Sequence, residues 1–343
     1  MQYNVTIGIP VYQAVDYIKN TMESALNQTY SEIEFLIVDD CGGDGSMRVV
    51  ERLKCEHPRG NDIRIVRNGR NLGVGVSRNR ILKEARGRYL FFLDSDDLLE
   101  EDTIEKMVRS AYEHQAEAVY GSWERVDNVT HSSSQYYVYS YQELLQPESM
   151  ALYAFKNYSS FMISSCNCLM DVEFLRNKRL RFIDTNFWED LAFSYELVTE
   201  VSRAVLLSDI TYHYLCRPGS LSNYQQRDLL QKTEILRNAE TIGYLKGKCI
   251  SLVGKPYLPY LCYNLEMNSF YIVCHVLRHA NKIVPRMSYS EMMTILRHPL
   301  DISVILGFRA KLLQNLWFCM LGRLPLPLSV FFVRILGKLK KAI

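Results

Sequence analysis

Tyr89-Leu90-Phe91-Phe92-Leu93-Asp94-Ser95-Asp96-Asp97 is the stretch that decides the fold class. Five apolar residues in a row read as a strand buried on both faces, as in a parallel sheet covered by helices. Three acidic residues in the next four positions put a polar cluster where that strand leaves the sheet. The pattern repeats outward from this point. Val5–Ile9, Phe35–Val38, Ile63–Val66 and Ala118–Tyr120 are strand-like, while Asp16–Asn27, Met47–Cys55, Val74–Ala85 and Thr103–Gln115 have helical periodicity. Strands and helices alternating with short connections predict a doubly wound α/β sheet, whose ligands bind beyond the carboxyl ends of the strands.

From about Asp127 the alternation weakens. Residues 127–180 are rich in Tyr and Ser and read as a loop followed by helix. Trp188–Val201 is helical, Ala204–Leu207 and Ile210–Cys216 are strand-like, and 225–296 read as successive helices. No internal repeat is present.

Composition narrows the function classes. The 343 residues hold 40 Lys+Arg against 38 Asp+Glu, a net charge of +2, with 48% hydrophobic and 23% charged residues. These values fit a globular chain and exclude a disordered one, and so small a net charge argues against nucleic-acid binding. The balance is uneven along the chain. Residues 302–343 contain seven basic side chains and no acidic one, which leaves 33 basic and 38 acidic residues in the rest, a net −5. The nine cysteines form no CxxC pair, and Cys166-x-Cys168 has no second pair at zinc spacing, so reduced thiols in a cytoplasmic protein are expected. The N-terminus lacks the basic start of a signal peptide. The longest apolar run, Leu324–Val333, is ten residues and contains Pro325 and Pro327, too short to span a membrane.

The strand ends collect the chemistry-bearing residues. Pro10-Val11-Tyr12-Gln13 follows the first strand and Asp39-Asp40 the second. Asn71-Leu72-Gly73 and Ser77-Arg78-Asn79 follow the third, and Asp94-Ser95-Asp96-Asp97 the fourth. Clustered carboxylates repel one another unless a cation or strong donors stand among them, and hard oxygen ligands suit Mg²⁺ or Mn²⁺. The alternative is a solvated acidic turn in which Asp97 caps the next helix.

In order and spacing these segments resemble the family 2 glycosyltransferases, nucleotide-sugar-dependent enzymes of bacterial polysaccharide type. The matching stretches are Val5–Tyr12, Phe35–Asp40, Asn71–Gly73, Leu90–Leu98, Trp188-Glu189-Asp190 and, more loosely, Tyr212–Tyr214 with Arg217–Ser220. The likeness implies a GT-A fold, a Rossmann-like, mostly parallel sheet flanked by helices, followed by a helical C-terminal region. It implies a catalytic domain over 1–225, with a nucleotide-binding half (1–125) and an acceptor-binding half (126–225), before helices at 226–343. Pro10, Tyr12 and Asp39, with the adjoining Asp40, match the nucleotide pocket. Asp94 and Asp96 match the Asp-x-Asp motif, Asp96 for direct metal contact and Asp94 for ribose or metal-bound water. Arg78 matches a basic position near the donor phosphates, or is a helix-surface cation. Arg217 and Ser220 match a loop that closes over the diphosphate, and His213 is a weaker metal candidate. Asp190, with Glu189 behind it, matches the general base, which a sugar hydroxyl needs as its C–O bond forms. Gln13 departs from the asparagine usual after Pro-Val-Tyr.

The resemblance thus implies an inverting, metal-dependent transferase. It moves a hexose or N-acetylhexosamine from a UDP-sugar to a hydroxyl of a glycan or lipid-linked oligosaccharide in surface polysaccharide synthesis. The alternative is an inactive nucleotide-sugar-binding or scaffold protein. An aspartate-nucleophile phosphatase is disfavoured, because its Asp-x-Asp follows the first strand. The basic tail, with Trp317, Phe331 and Phe332 between its cations, suits peripheral association with the inner face of the cell membrane. A helical pair packed on the catalytic domain and a homodimer interface are its other readings.

Overall fold

The computed structural model describes residues 3–127, 132–157, 161, 164–185, 188–216 and 229–340. The chain divides into two compact units, one of Met1–Ala151 with Ser159–Pro218 and one of Leu152–Tyr158 with Gly219–Ile343.

The first unit begins as the alternation predicts. In order come β1 (Val5–Val11), α1 (Ile18–Leu26), β2 (Ile33–Asp39), α2 (Ser46–Glu56), β3 (Ile63–Arg67), α3 (Val74–Glu84) and β4 (Tyr89–Phe92). Strands β3, β2, β1 and β4 lie side by side, all parallel. Phe35, Leu36, Ile37 and Val38 have no exposed surface, because helices cover both faces of the strand. Helix α3 packs closely on β1. A Cβ at Gly8 would stand 2.2 Å from Ile81 Cγ2, so only glycine permits this approach.

Beyond β4 follow β5 (Leu98–Leu99), α4 (Thr103–His114), β6 (Ala118–Asp127), β7 (Ser133–Tyr137), β8 (Gln142–Leu144), α5 (Ser149–Lys156), β9 (Cys168–Asp171), α6 (Val172–Asn177), α7 (Glu189–Glu200) and β10 (Ala204–Cys216). Here the sheet departs from a mostly parallel one. Strand β9 sits between β4 and β6 and is antiparallel to both, while β6 and β10 pair parallel. The segment read from sequence as loop and helix contains three strands, β7, β8 and β9. Each is five residues or fewer, too short for a two-residue period to stand out, and β9 is defined by pairing on both edges.

The second unit is helical, as expected. It holds β11 (Leu230–Gln231), α8 (Lys232–Lys248), α9 (Leu258–Arg278), β12 (Ile283–Val284), α10 (Tyr289–Ile295), α11 (Ile302–Ile305), α12 (Leu312–Leu321) and α13 (Leu326–Leu339). Helix α9 is its centre, buried along most of its length and packed against α8, α12 and α13. Among the described residues no helix is long and apolar enough to cross a membrane. On α13, Val330 and Val333 face inward, while Leu328, Phe331, Ile335 and Leu339 are 40–75% exposed beside exposed Arg334, Lys338 and Lys340.

One buried ion pair ties the strand layer to its helices. Glu34, 1% exposed on β2, accepts from Thr6 Oγ1 (2.9 Å) and from Arg64 Nε (2.7 Å), and Arg64 also donates to Glu84 at the end of α3. Removing the Arg64 guanidinium takes away the nearer of two cations from a buried carboxylate, the Arg86 guanidinium standing 3.8 Å away. Arg64→Met is expected to lower unfolding free energy by ~3 kcal/mol in urea titration, and an unchanged midpoint would contradict this role.

Candidate active site

The carboxyl ends of β1, β2 and β4 form the floor. Asp39, the last residue of β2, accepts from Cys41 N at 2.9 Å and lies 3.5 Å from Arg67. Beside it the chain turns through Gly42-Gly43-Asp44-Gly45. Asp44 and Ser46 take the N–H groups of Val15 and Ala14, each at 2.9 Å, tying this turn to the one after β1. A cavity of about 400 Å³ results, lined by Val11, Gln13, Asp39, Gly43, Ser46 and Arg48. Pro10 is buried in β1, and Tyr12 stands 44% exposed just beyond it. The glycine-rich turn and Arg48 escaped the sequence reading, although three glycines within four positions after a strand were a visible signal.

Asp40 is placed quite differently from Asp39. It is buried, and its carboxylate accepts from Asn68 Nδ2 (2.7 Å), Leu72 N (2.9 Å) and Gly73 N (2.8 Å). Its hydrogen bonds are spent on shaping the turn that starts α3.

The Asp94–Asp97 turn also divides its carboxylates. Asp97 points into the core, where it accepts from Tyr212 Oη (2.7 Å) and Leu215 N (2.8 Å). Burial, then the charges of Asp96 and Asp94, push its carboxyl well above the ordinary range. Asp94 and Asp96 are half-buried. Among the described residues no three His, Cys, Asp or Glu side chains group as a complete metal shell. Two carboxylates at one turn fit Mg²⁺ or Mn²⁺, which commonly takes only one or two protein carboxylates and completes its shell with phosphate oxygens and water.

Across from this turn stands the N-terminus of α7. Glu189 is 7% exposed, and Asp190 is half-buried with Oδ1 accepting from Leu191 N at 2.7 Å. Arg78, from α3, lies between the two acidic groups. Its Nη1 donates to Glu189 Oε1 (2.8 Å) and its Nη2 to Asp94 Oδ1 (2.6 Å), while Phe182 packs 5.5 Å from the guanidinium. The side chain is 5% exposed, and among the described residues its Nε has no hydrogen-bond partner. This excludes the surface-cation reading of Arg78 and gives both terminal nitrogens to carboxylates. The same arginine favours the ionised forms of Glu189 and Asp190, while their burial opposes it. Burial, then the charge of Asp190, push the Glu189 carboxyl up to about 7, against the opposing pull of Arg78. Burial also raises Asp190, again against Arg78.

His213 was a candidate for the metal shell, but both its ring nitrogens face other carboxylates, Nδ1 at 2.7 Å from Glu124 and Nε2 at 3.0 Å from Glu100. Arg217 and Ser220 lie outside the described residues.

The family model for glycosyl transferase family 2 matches residues 6–177, half of the chain and the whole of this floor. The chain belongs to this family. It is 39% identical over 104 residues to TuaG of Bacillus subtilis, a glycosyltransferase named for teichuronic acid biosynthesis, spanning 30% of this chain and 40% of TuaG. It is 27% identical over 246 residues to the UDP-Glc:α-D-GlcNAc-diphosphoundecaprenol β-1,3-glucosyltransferase WfaP of Escherichia coli, covering 68% of this chain and 86% of that one. A crystal structure of S. aureus TarS residues 1–349 with UDP-GlcNAc superimposes with a TM-score of 0.64 at 16% identity, covering 93% of this chain and 90% of that one. This likeness establishes the GT-A architecture with its helical C-terminal region.

The raised Glu189 carboxyl gives a linkage test. Its folded value of about 7 lies above the ordinary 4.5, so folding takes up a proton. That contribution is complete below the ordinary value and is lost as pH rises toward 7. Glu189→Gln has no such proton, so its Tm is expected to gain on the wild type between pH about 5 and about 8. A Tm difference independent of pH would overturn the assignment.

Proposed function

We propose that the chain is an inverting, metal-dependent glycosyltransferase that moves a hexose or N-acetylhexosamine from a UDP-sugar to a hydroxyl of a glycan or lipid-linked oligosaccharide in surface polysaccharide synthesis. The observation that carries this reading is the meeting of Asp94 and Glu189 on one buried arginine, which sets the Asp-x-Asp turn opposite the Glu189–Asp190 pair. The relatives agree in kind: WfaP is named for a UDP-Glc donor and a diphosphoundecaprenol-linked acceptor, and TuaG for teichuronic acid.

In this reading Asp39, Pro10 and Tyr12 hold the nucleoside, with the neighbouring cavity beside them. Asp40 acts from behind by holding the 71–73 turn. Asp96 and Asp94 would hold a divalent ion, which would supply neutralisation of charge on the leaving diphosphate. Asp190 takes the proton of the acceptor hydroxyl. The acceptor oxygen bonds to the anomeric carbon as the bond from that carbon to the diphosphate breaks on the opposite face. Glu189 stays on Arg78 and keeps the base from being pulled into that ion pair.

Asp190→Asn removes the proton acceptor but no nucleotide contact. Transfer is expected to fall by about 10²–10⁴-fold with UDP affinity kept in calorimetry. Asp96→Ala should abolish the Mn²⁺-dependent part of UDP binding. Full transfer by Asp190→Asn would remove the base assignment.

The membrane partner rests on α13. Its exposed Leu328, Phe331, Ile335 and Leu339 sit beside Arg334, Lys338 and Lys340, a composition that fits an anionic lipid surface, where each cation adds ~1 kcal/mol. The full chain should co-sediment with phosphatidylglycerol vesicles and not with phosphatidylcholine ones, and a Phe331→Asp, Ile335→Asp double variant should stay in solution. Equal binding to both vesicle types would refute this, as would a dimer that the double variant dissociates.

A further inference from the structure

Helix α3 presents one face, at spacings i, i+3 and i+4, to the segment that leads into α7. Gly75, Arg78 and Asn79 occupy that face. Asn79 is the most informative of the three. Its Nδ2 donates to the Phe182 carbonyl and its Oδ1 accepts from the Phe182 N–H, both at 2.8 Å, so one side chain pairs with a backbone as a neighbouring strand would. A Cβ at Gly75 would lie 3.0 Å from the Ile183 carbonyl oxygen and 3.4 Å from both the Thr185 carbonyl oxygen and Glu189 Cγ. Arg78 completes the set by gripping Glu189 on this side and Asp94 on the other.

Both ends of this connection are firmly seated. The Phe182 ring stacks on Phe193 of α7 at 4.2 Å and meets Phe92 of β4 edge-on at 5.4 Å. Helix α3 is seated on β1 through the Gly8–Ile81 approach, and its Ser77 Oγ accepts from Asn68 Nδ2 at 3.1 Å.

We propose that Asn79 is a positioning residue, and that the Gly75–Arg78–Asn79 face of α3 is the rigid gauge setting the distance between the Asp94–Asp96 turn and the Glu189–Asp190 pair. The proposal rests on Asp190 being the base. A single displacement needs acceptor oxygen, anomeric carbon and leaving oxygen in line, so the base must stand a fixed distance from the donor site. Neither carboxylate group can set that distance alone, because they belong to elements remote in sequence. Among the described residues the hydrogen bonds of the Asn79 side chain go to the Phe182 backbone, in the segment that precedes the base.

The test compares Asn79→Ala and Asn79→Asp with wild type in UDP-sugar transfer and in calorimetric UDP binding with Mn²⁺. Asn79→Ala is expected to lower kcat by about 10- to 100-fold while UDP Kd stays within about twofold, since small misplacements of reacting groups cost that much. Asn79→Asp keeps the acceptor for the Phe182 N–H but turns a second acceptor on the Phe182 carbonyl, so it is expected to recover none of the loss. Gly75→Ala, which presses on the 183–185 backbone without removing a polar group, should move kcat in the same direction. It serves as the second variant if Asn79→Ala does not fold. Wild-type kcat in Asn79→Ala would overturn the proposal, and so would kcat and UDP affinity falling in parallel, the mark of a general loss of structure. Asp190→Asn in the same assay separates the two claims. If it is inactive while Asn79→Ala is normal, the base stands and the gauge falls; if it is fully active, the base reading itself falls.

Discussion

A guanidinium sealed from water between two carboxylates is the constraint on which the site depends. Arg78 cannot be buried alone, because desolvating an unpaired charge costs several kcal/mol, so the fold must bring it counter-charges. Those counter-charges come from the end of β4 and the start of α7, which are 95 residues apart between Asp94 and Glu189. Meeting the demand of one side chain therefore joins the two acidic groups. The pair is also electrostatically asymmetric. Asp94 remains partly hydrated, whereas Glu189 is buried beside Asp190 and holds its proton to about 7.

The aspartates around this centre show how environment separates residues of one type. Asp39 borders an open cavity, while its neighbour Asp40 is saturated by three donors and holds a turn. Asp97 is drawn into the core by Tyr212 and the Leu215 N–H, whereas Asp94 and Asp96 of the same turn stay half-buried. Each assignment follows from which donors reach the carboxylate. The same accounting applies to Asn79 and to Glu34, whose roles are set by backbone and arginine partners remote in sequence.

Much of the architecture was legible because burial leaves a sequence signature. The apolar runs at Val5–Ile9, Phe35–Val38 and Tyr89–Leu93 became the central parallel strands, and the acidic Asp94–Asp97 cluster fell at a strand exit as their order required. Strand β9 was not legible. Four residues carry too little periodicity, and its place between β4 and β6 depends on hydrogen bonds at both edges. Likewise, nothing in the spacing around Leu152–Tyr158 marked that piece for the second compact unit, where Asn264 Nδ2 donates to the Phe155 carbonyl at 2.9 Å.

The sequence by itself determined the fold class, the order of the strands β1 to β4, the family, and the residue types available for chemistry. These are local properties: hydrophobic periodicity and the identity of side chains at strand ends are written in consecutive residues. Tertiary structure alone decided what each of those side chains does. It turned Arg78, read as a basic position near the donor phosphates or a helix-surface cation, into a buried bridge, Asp40 and Asp97 into internal struts, and His213 into a partner of Glu100 and Glu124. The physical reason is that a polar group's role is set by desolvation and by the donors and acceptors that converge on it, and these come from segments that only folding brings together.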